Sequence, residues 1–253
     1  MNISLDRRAL HAGLQAVTRA VGKSSLPILS NVLLETNGDC SLLLRATDYE
    51  LAIECEVNAS VRVPGCITLP SKVLAEIVAT LDEGQVSIET DDQHAGSIAC
   101  GRSRTRIHGL PAEEFPPATV ISDGLTFTVE EGRLRSLIEC VIGAIAKDET
   151  RPIVTGALFE AGGSTLRLVS TDTYRMCVAN GPITGAALGE DKQFVVPGRA
   201  LRELLQLTEE NGAAPVACHF GENQAQFTVG ASTLTARLLE GKFPNYGRML
   251  PLN

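Results

Sequence analysis

Apolar residues recur at helical spacing in four places along the chain. Leu10, Leu14, Val17 and Val21 fall three or four apart, with Asp6 ahead of them as a cap. Leu134, Ile138, Val141 and Ile145 repeat that pattern. Two shorter stripes, Leu74, Ile77, Val78 and Leu81, then Leu201, Leu204 and Leu205, each follow a proline, Pro70 or Pro197. A proline beside the first helical turn has a fitting φ, and its missing N–H is not needed there. Elsewhere the apolar positions alternate or run in short blocks: 41–48, 51–63, 86–92, 97–109, 164–172, 214–220, 225–230 and 232–239. Turn sequences such as Asn37-Gly38-Asp39, Gly162-Gly163-Ser164 and Asn211–Pro215 separate these blocks. Few helices among many short strands predict an α+β fold with antiparallel sheets.

The pattern also repeats. "LPILSNVLLET" (26–36) returns as "RPIVTGALFEA" (151–161), with Pro27 and Pro152 at equivalent places. "TDYEL" (47–51) returns as "TDTYRM" (171–176), and "LPSKVLAEIVATL" (69–81) as "VPGRALRELLQLT" (196–208). "EFPP" (114–117) returns as "KFPN" (242–245). The four matches keep their order at offsets of 124 to 128 residues, which points to duplication of one module. We place the modules at 1–122 and 123–253, the stretch "PATVISDGLT" marking the join. The Thr-Asp steps at Asp48 and Asp172 read as structural turns, side chains capping backbone, rather than as paired acids.

Composition narrows the function. Aromatics are 4% of the 253 residues and Trp is absent, so an aliphatic core is expected. The net charge is −8, against a broad, tight nucleic-acid surface but compatible with a basic patch on an acidic body. Seven cysteines, an odd number without CxxC spacing, read as reduced core residues of an intracellular protein. The first residues lack the apolar core of a signal peptide, and no apolar run is long enough to cross a membrane, so a cytoplasmic location is expected. There is no P-loop, HExxH or GxSxG, and His11, His94, His108 and His219 do not pair at metal-ligand spacing. Neither an enzyme, a metal nor a cofactor is expected.

The stretches "LPILSNVLLE", "ATDYEL", "GRSRTRIHGLPAEEFP", "LFEAGG", "STDTYRM" and "EGKFPNYGRMLP" resemble, in order, the bacterial beta sliding clamps, the processivity subunits of DNA polymerase III. The resemblance implies repeated DNA-clamp modules, with antiparallel sheets outside and two helices per module lining the inner face. Family clamps carry three modules and close as head-to-tail homodimers around duplex DNA. This chain resembles modules one and two, the third being absent. It implies a non-catalytic subunit that slides on DNA without regard to sequence. Such a subunit tethers the replicative polymerase, clamp loader and repair proteins by short motifs rich in Gln, Leu and Phe. Two alternatives stay open: a two-module clamp closing as a trimer, and a ring-less peptide-binding adaptor.

Two sets of residues follow from the resemblance. For DNA they are Lys23 and Lys72, with the helix cations Arg7, Arg8, Arg19, Arg133, Arg135, Arg199 and Arg202. Glu76, Glu130, Glu131, Glu139 and Glu203 share these helices, so the charges alone equally suit solvated amphipathic faces. Many relatives carry tyrosines where this chain has Pro152 and Ile153, which puts the contact from that loop in doubt and leaves Lys147 to supply charge. For a peptide groove on module two they are Arg151, Val154, Thr171, Thr173, Tyr174, Arg175, Met176, Pro244, Arg248 and Met249. Adaptable methionine, rigid proline and arginine stems suit such a groove. Without the resemblance, Met176, Met249 and Tyr174 read as ordinary core. Phe243 is expected to anchor the turn. Phe115-Pro116 repeats that turn in module one with no Arg-Met pair behind it, so the groove is expected on module two alone.

Overall fold

The computed structural model describes residues 1–22, 25–148, 150–185 and 188–248. The chain divides into two compact units, Met1–Val120 with Gly230–Thr235, and Ile121–Val229 with Ala236–Asn253.

In the first unit β1 (Asn2–Asp6), α1 (Arg7–Val17), β2 (Asn31–Asn37), β3 (Ser41–Thr47), β4 (Leu51–Asn58), β5 (Ser60–Val63) and β6 (Cys66–Pro70) lead into α2 (Ser71–Thr80). β7 (Gln85–Thr90), β8 (Ala95–Cys100) and β9 (Ser103–His108) complete it. The strands pair antiparallel in the orders β5-β1-β7-β8-β9 and β6-β2-β3-β4. The second unit repeats the sequence of elements. β10 (Leu125–Glu130), α3 (Glu131–Ile142), β11 (Gly156–Gly163), β12 (Thr165–Thr171), β13 (Met176–Pro182) and β14 (Leu188–Pro197) lead into α4 (Gly198–Leu207). β15 (Pro215–Phe220) and β16 (Gln224–Val229) follow, and the chain then runs through β17 (Ser232–Arg237), which is divided between the units after Thr235. Here the orders are β13-β12-β11-β14 and β10-β15-β16. Even a minor bridge recurs: β1 pairs with β5 at Ser4–Ser60, and 124 residues on, Thr128 bridges Thr184.

The helices lie on their sheets where the apolar stripes require. Asp6 Oδ1 accepts from Arg8 N at 2.9 Å and Ala9 N at 3.1 Å, the expected cap of α1. Gly13 lets α1 approach closely; a Cβ there would come within 2.8 Å of Leu44 and Val57. Three of the helices, α1, α2 and α3, end before their stripes do, while α4 contains all of its own. α1 gives way to a 3-10 turn at Thr18–Ala20, and Val21 and Leu81 are extended C-caps. Ile145 is buried beyond the end of α3. Apolar spacing reports burial, and the chain can keep burying the same phase for a turn after its backbone has left the helix.

The strands absent from the sequence reading have physical reasons. β2 and β11 each begin with four consecutive buried residues, so both faces are covered and no alternation shows. The short β1 and β10 are followed immediately by a helix. The aliphatic core holds for unit one, where Phe115 is the sole phenylalanine, and fails for unit two. There Phe127, Phe159, Phe194, Phe220 and Phe227 pack together, contacting pairs having centroids 4.7–6.2 Å apart in stacked, tilted and edge-on arrangements. A low overall aromatic fraction does not forbid gathering five rings in one place. The cysteines are also less uniformly core than expected: Cys55, Cys100 and Cys218 are buried, Cys40, Cys66 and Cys140 exposed. Among the described residues no helix is long and apolar enough to cross a membrane.

Candidate functional site

The two Thr-Asp turns are built alike. Thr47 Oγ1 accepts from Tyr49 N and donates to Leu51 O, while Asp48 Oδ1 accepts from Glu50 N and Leu51 N. Thr171 Oγ1 accepts from Thr173 N and donates to Arg175 O, while Asp172 Oδ1 accepts from Tyr174 N and Arg175 N. Tyr49 (φ 74°) and Thr173 (φ 77°) both take the left-handed conformation that closes the turn. These hydrogen bonds, led by that from Arg175 N, hold the Asp172 carboxyl below its ordinary range. In unit two the turn thrusts Tyr174 into solvent at 97% exposure and delivers Met176 to the start of β13.

Register then sets three rows of side chains across one face of the sheet β13-β12-β11-β14. Met176 pairs with Thr171. Two residues along, Val178, Val169, Leu158 and Val195 align. Two further along, Asn180, Arg167, Glu160 and Gln193 align. The segment after β17 folds over the middle row. Phe243 is 7% exposed against Leu158, Val169 and Val195, and Ile153, Met176, Val178, Leu239 and Tyr246 pack at the margin, half-buried. The polar row is joined by hydrogen bonds: Gln193 Nε2 to Glu160 Oε1 at 2.8 Å, and Arg167 Nε to Asn180 Oδ1 at 2.9 Å. The Tyr246 hydroxyl donates to Glu160 Oε2 and accepts from Arg167 Nη1 at 3.3 Å. Burial and the Glu160 carboxylate together push the Tyr246 phenol above its ordinary range.

Unit one holds charge where unit two is apolar. At the middle-row positions stand Glu54, Arg45, Leu33 and Thr68, in the same register. Arg45 Nε lies 2.7 Å from Glu54 Oε1, a close ion contact whose N–H is not aligned as a hydrogen bond, and Glu35 is 3.8 Å from the same guanidinium. Phe115 is buried like Phe243, but its cleft, about 240 Å³, is shared by Glu35, Arg45, Glu113 and Cys66.

The cations divide by what they touch. Lys147, Arg199 and Arg202 line one cleft of about 500 Å³ with Pro152, Thr155 and Gly198 at the start of α4. Arg19, Lys72 and Arg133 are exposed. Arg8 pairs with Glu83, which raises its pKa further. Two arginines turn inward. Arg7 Nε donates to Leu81 O at 3.2 Å, and Arg135 Nη1 donates to Leu205 O at 2.6 Å and Thr208 O at 2.8 Å. In each unit an arginine of the first helix thus satisfies carbonyls at the end of the second, where a cation is favoured.

Two family models match the chain: DNA polymerase III beta subunit, N-terminal domain, over residues 1–120, and the central domain of the same subunit over residues 128–245. The chain belongs to the DNA polymerase III beta subunit family. The beta sliding clamp of Pseudomonas putida is 36% identical over 258 residues, covering 99% of this chain and 68% of the relative. The sliding clamp structure from Bacillus subtilis matches with a TM-score of 0.94 at 25% identity, over all of this chain and 68% of that one. A Pseudomonas aeruginosa clamp bound to griselimycin matches with a TM-score of 0.93 at 33% identity, over all of this chain and 68% of that one. The α+β architecture with antiparallel sheets is the architecture of these clamp structures.

Among the peptide-site residues named from sequence, Thr171, Thr173, Tyr174, Arg175 and Met176 come together on the turn and the head of β13. Pro244 is half-buried beside Phe243. Arg175 is exposed and paired with Asp172 at 2.9 Å. Arg151 is exposed ahead of a 3-10 turn, Pro152–Thr155, whose Val154 is buried. Lys23 and Met249 lie outside the described residues, as does the side chain of Arg248. Sequence reasoning missed Leu158, Val169, Val178, Val195, Leu239 and Tyr246. The signal was available: at the positions of Val169 and Val178, the first copy has Arg45 and Glu54.

Proposed function

We propose that the chain works as a sliding-clamp processivity factor of DNA replication. It encloses duplex DNA without reading sequence and tethers the replicative polymerase, clamp loader and repair proteins through a peptide groove on unit two. The observation that carries the groove is the apolar middle row with its half-buried margin, Met176, Val178, Ile153 and Tyr246, beside the exposed Tyr174 turn. A Leu or Phe side chain of a peptide can complete this margin as it leaves water, worth about 1.5–3 kcal/mol for full burial. Arg175 stands ready for the peptide's polar atoms. DNA contact falls to Lys72, Arg19, Arg133, Lys147, Arg199 and Arg202, and to Lys23. Arg7 and Arg135 instead hold the helices in pairs. A sliding subunit needs phosphate contacts that are weak and replaceable, consistent with an acidic chain carrying local cations. The role asks for no catalytic group, only enclosure and tethering.

The test is titration of the fluorescein-labelled pentapeptide Gln-Leu-Ser-Leu-Phe into the protein. Met176→Glu should abolish binding, because an unpaired carboxylate in an apolar margin is costly. Wild-type affinity in that variant would place the groove elsewhere.

A further inference from the structure

Phe243 and Tyr246 hold the 240–248 segment down in different ways. Phe243 inserts a ring into the apolar row. Tyr246 lies at the margin of the same cluster, and its hydroxyl reaches the neighbouring polar row. That row spans four strands, from Asn180 through Arg167 and Glu160 to Gln193. Pro244 lies between the two attachments.

We infer that Tyr246 is a positioning residue for the peptide groove: its hydroxyl, held by Glu160 and Arg167, clamps the segment across the sheet and fixes Pro244, next to the Phe243 ring, as a wall of the groove. The inference rests on the groove proposed above and adds the part that sets its shape.

The first copy supplies the contrast. Phe115 keeps the ring anchor, so that anchor belongs to the fold. The offset of 128 residues that relates Phe115 to Phe243 places Ala118 where unit two has Tyr246. Arg167 corresponds to Leu43, aligned with Glu35 as Arg167 is with Glu160. The first copy therefore lacks the hydroxyl and one of its two partners, and its middle row carries the Arg45–Glu54 pair instead of valines. It folds with the same strand register without this clamp. The clamp accompanies the apolar row in unit two and is absent where that row is charged.

The experiment measures binding of the fluorescein-labelled pentapeptide Gln-Leu-Ser-Leu-Phe, and melting temperature, for wild type, Tyr246→Phe, Glu160→Gln, Glu160→Ala, Met176→Glu and the Tyr246→Phe/Glu160→Ala pair. Tyr246→Phe keeps the ring and removes the hydroxyl. It should weaken binding about fivefold to tenfold, the scale of one typical net hydrogen bond, with an unchanged melting temperature. Glu160→Gln keeps an acceptor and should retain more affinity than Glu160→Ala. The double variant should lose less than the sum of the two singles, because both remove the Tyr246–Glu160 hydrogen bond. Wild-type affinity in Tyr246→Phe while Met176→Glu abolishes binding would overturn the clamp and leave the groove intact. Strict additivity, or an affinity loss that follows melting temperature, would also overturn it. Binding that survives Met176→Glu would remove the groove, and the clamp with it.

Discussion

Arg45 and Val169 hold the same register position in the two copies, one beside Glu54 and the other beside Val178. The ion pair is partly buried, with Arg45 side-chain exposure of 12%. Removing both charges from water costs free energy that their attraction does no more than offset, while at the same positions of unit two Val169 is fully buried in the cluster with Phe243 and Val178 is half-buried at its margin. One duplicated sheet thus carries a charged row in one unit and an apolar row in the other.

That difference can be transplanted. The pair Val169→Arg and Val178→Glu should rebuild the ion contact of unit one on unit two. Peptide affinity should fall at least about tenfold, or about 1.4 kcal/mol, while the melting temperature changes less than in either single variant. Titration of the labelled pentapeptide and a thermal melt check both. Full affinity in the double variant would mean that the middle row does not form the floor of the groove.

The phenylalanine anchors should separate by unit. Phe115→Ala and Phe243→Ala each empty a site that is at most 7% exposed, and each should cost about 3–5 kcal/mol. Peptide binding by the surviving folded protein should be kept in Phe115→Ala and lost in Phe243→Ala. Denaturant melts followed by titration distinguish the two. Equal loss of peptide in both variants would break the assignment of the groove to unit two.

Much of this architecture was legible in the chain. The duplication, the helix stripes and both Thr-Asp turns are local patterns, and the side chains that build them lie within a few residues of one another. The cross-sheet rows were not assembled from sequence, because Leu158, Val169, Val178 and Val195 meet only once register has aligned four strands, although Arg45 and Glu54 in the first copy marked two of the positions. Arg135 misled for a related reason. On its own helix it reads as a surface cation, and only the packing of α4 shows that Leu205 O and Thr208 O are its partners. The ring cluster escaped notice because composition averages over both units, while all five of its phenylalanines belong to one.

The Asp172 turn should make peptide binding sensitive to acid. Its folded carboxyl is held below the ordinary aspartate value of about 3.9. The folded state therefore binds its proton less readily than the unfolded state. The stability it contributes is present above the unfolded value and lost as pH falls through the folded one. Peptide affinity and melting temperature should hold near neutrality and decline below about pH 4. Asp172→Asn keeps an acceptor oxygen for Tyr174 N and Arg175 N but cannot titrate, so its acid decline should be shallower. Identical pH profiles would show that other groups govern the acid response.

Exposed and buried thiols should react differently. Cys218 is fully buried, and desolvation pushes its thiol far above the usual range. Only the thiolate attacks, so a disulfide reagent should leave Cys218 untouched until the protein unfolds. Cys40 and Cys140 are exposed and should react first. Cys66 is exposed as well, but partial burial and the nearby Glu35 and Glu113 raise its pKa, which should slow it. Mass mapping of labelled peptides over time gives the order. Early labelling of Cys218 would contradict the packing around β15.

The last prediction separates cations that contact DNA from cations that hold the fold. Lys147, Arg199 and Arg202 converge on one cleft, where a backbone phosphate can be shared among them. Direct affinity for duplex DNA should be weak and fall steeply with salt, because the chain as a whole is acidic and exposed charges are screened. The slope of log affinity against log salt should lessen by about 0.9 for each phosphate contact removed. Alanine at all three positions should therefore flatten the salt dependence without regard to DNA sequence. Arg135→Ala is the control. It removes charged hydrogen bonds to the end of α4, each worth about 1.5–3 kcal/mol, so it should lower the melting temperature and leave the slope unchanged. Fluorescence anisotropy of a labelled duplex across a salt series reads the slopes. If Arg135→Ala flattens the slope as the cleft variants do, the division between structural and DNA-facing arginines is wrong. If the cleft variants leave the slope unchanged, phosphate contact lies elsewhere, with Lys72, Arg19 and Arg133 the next to test.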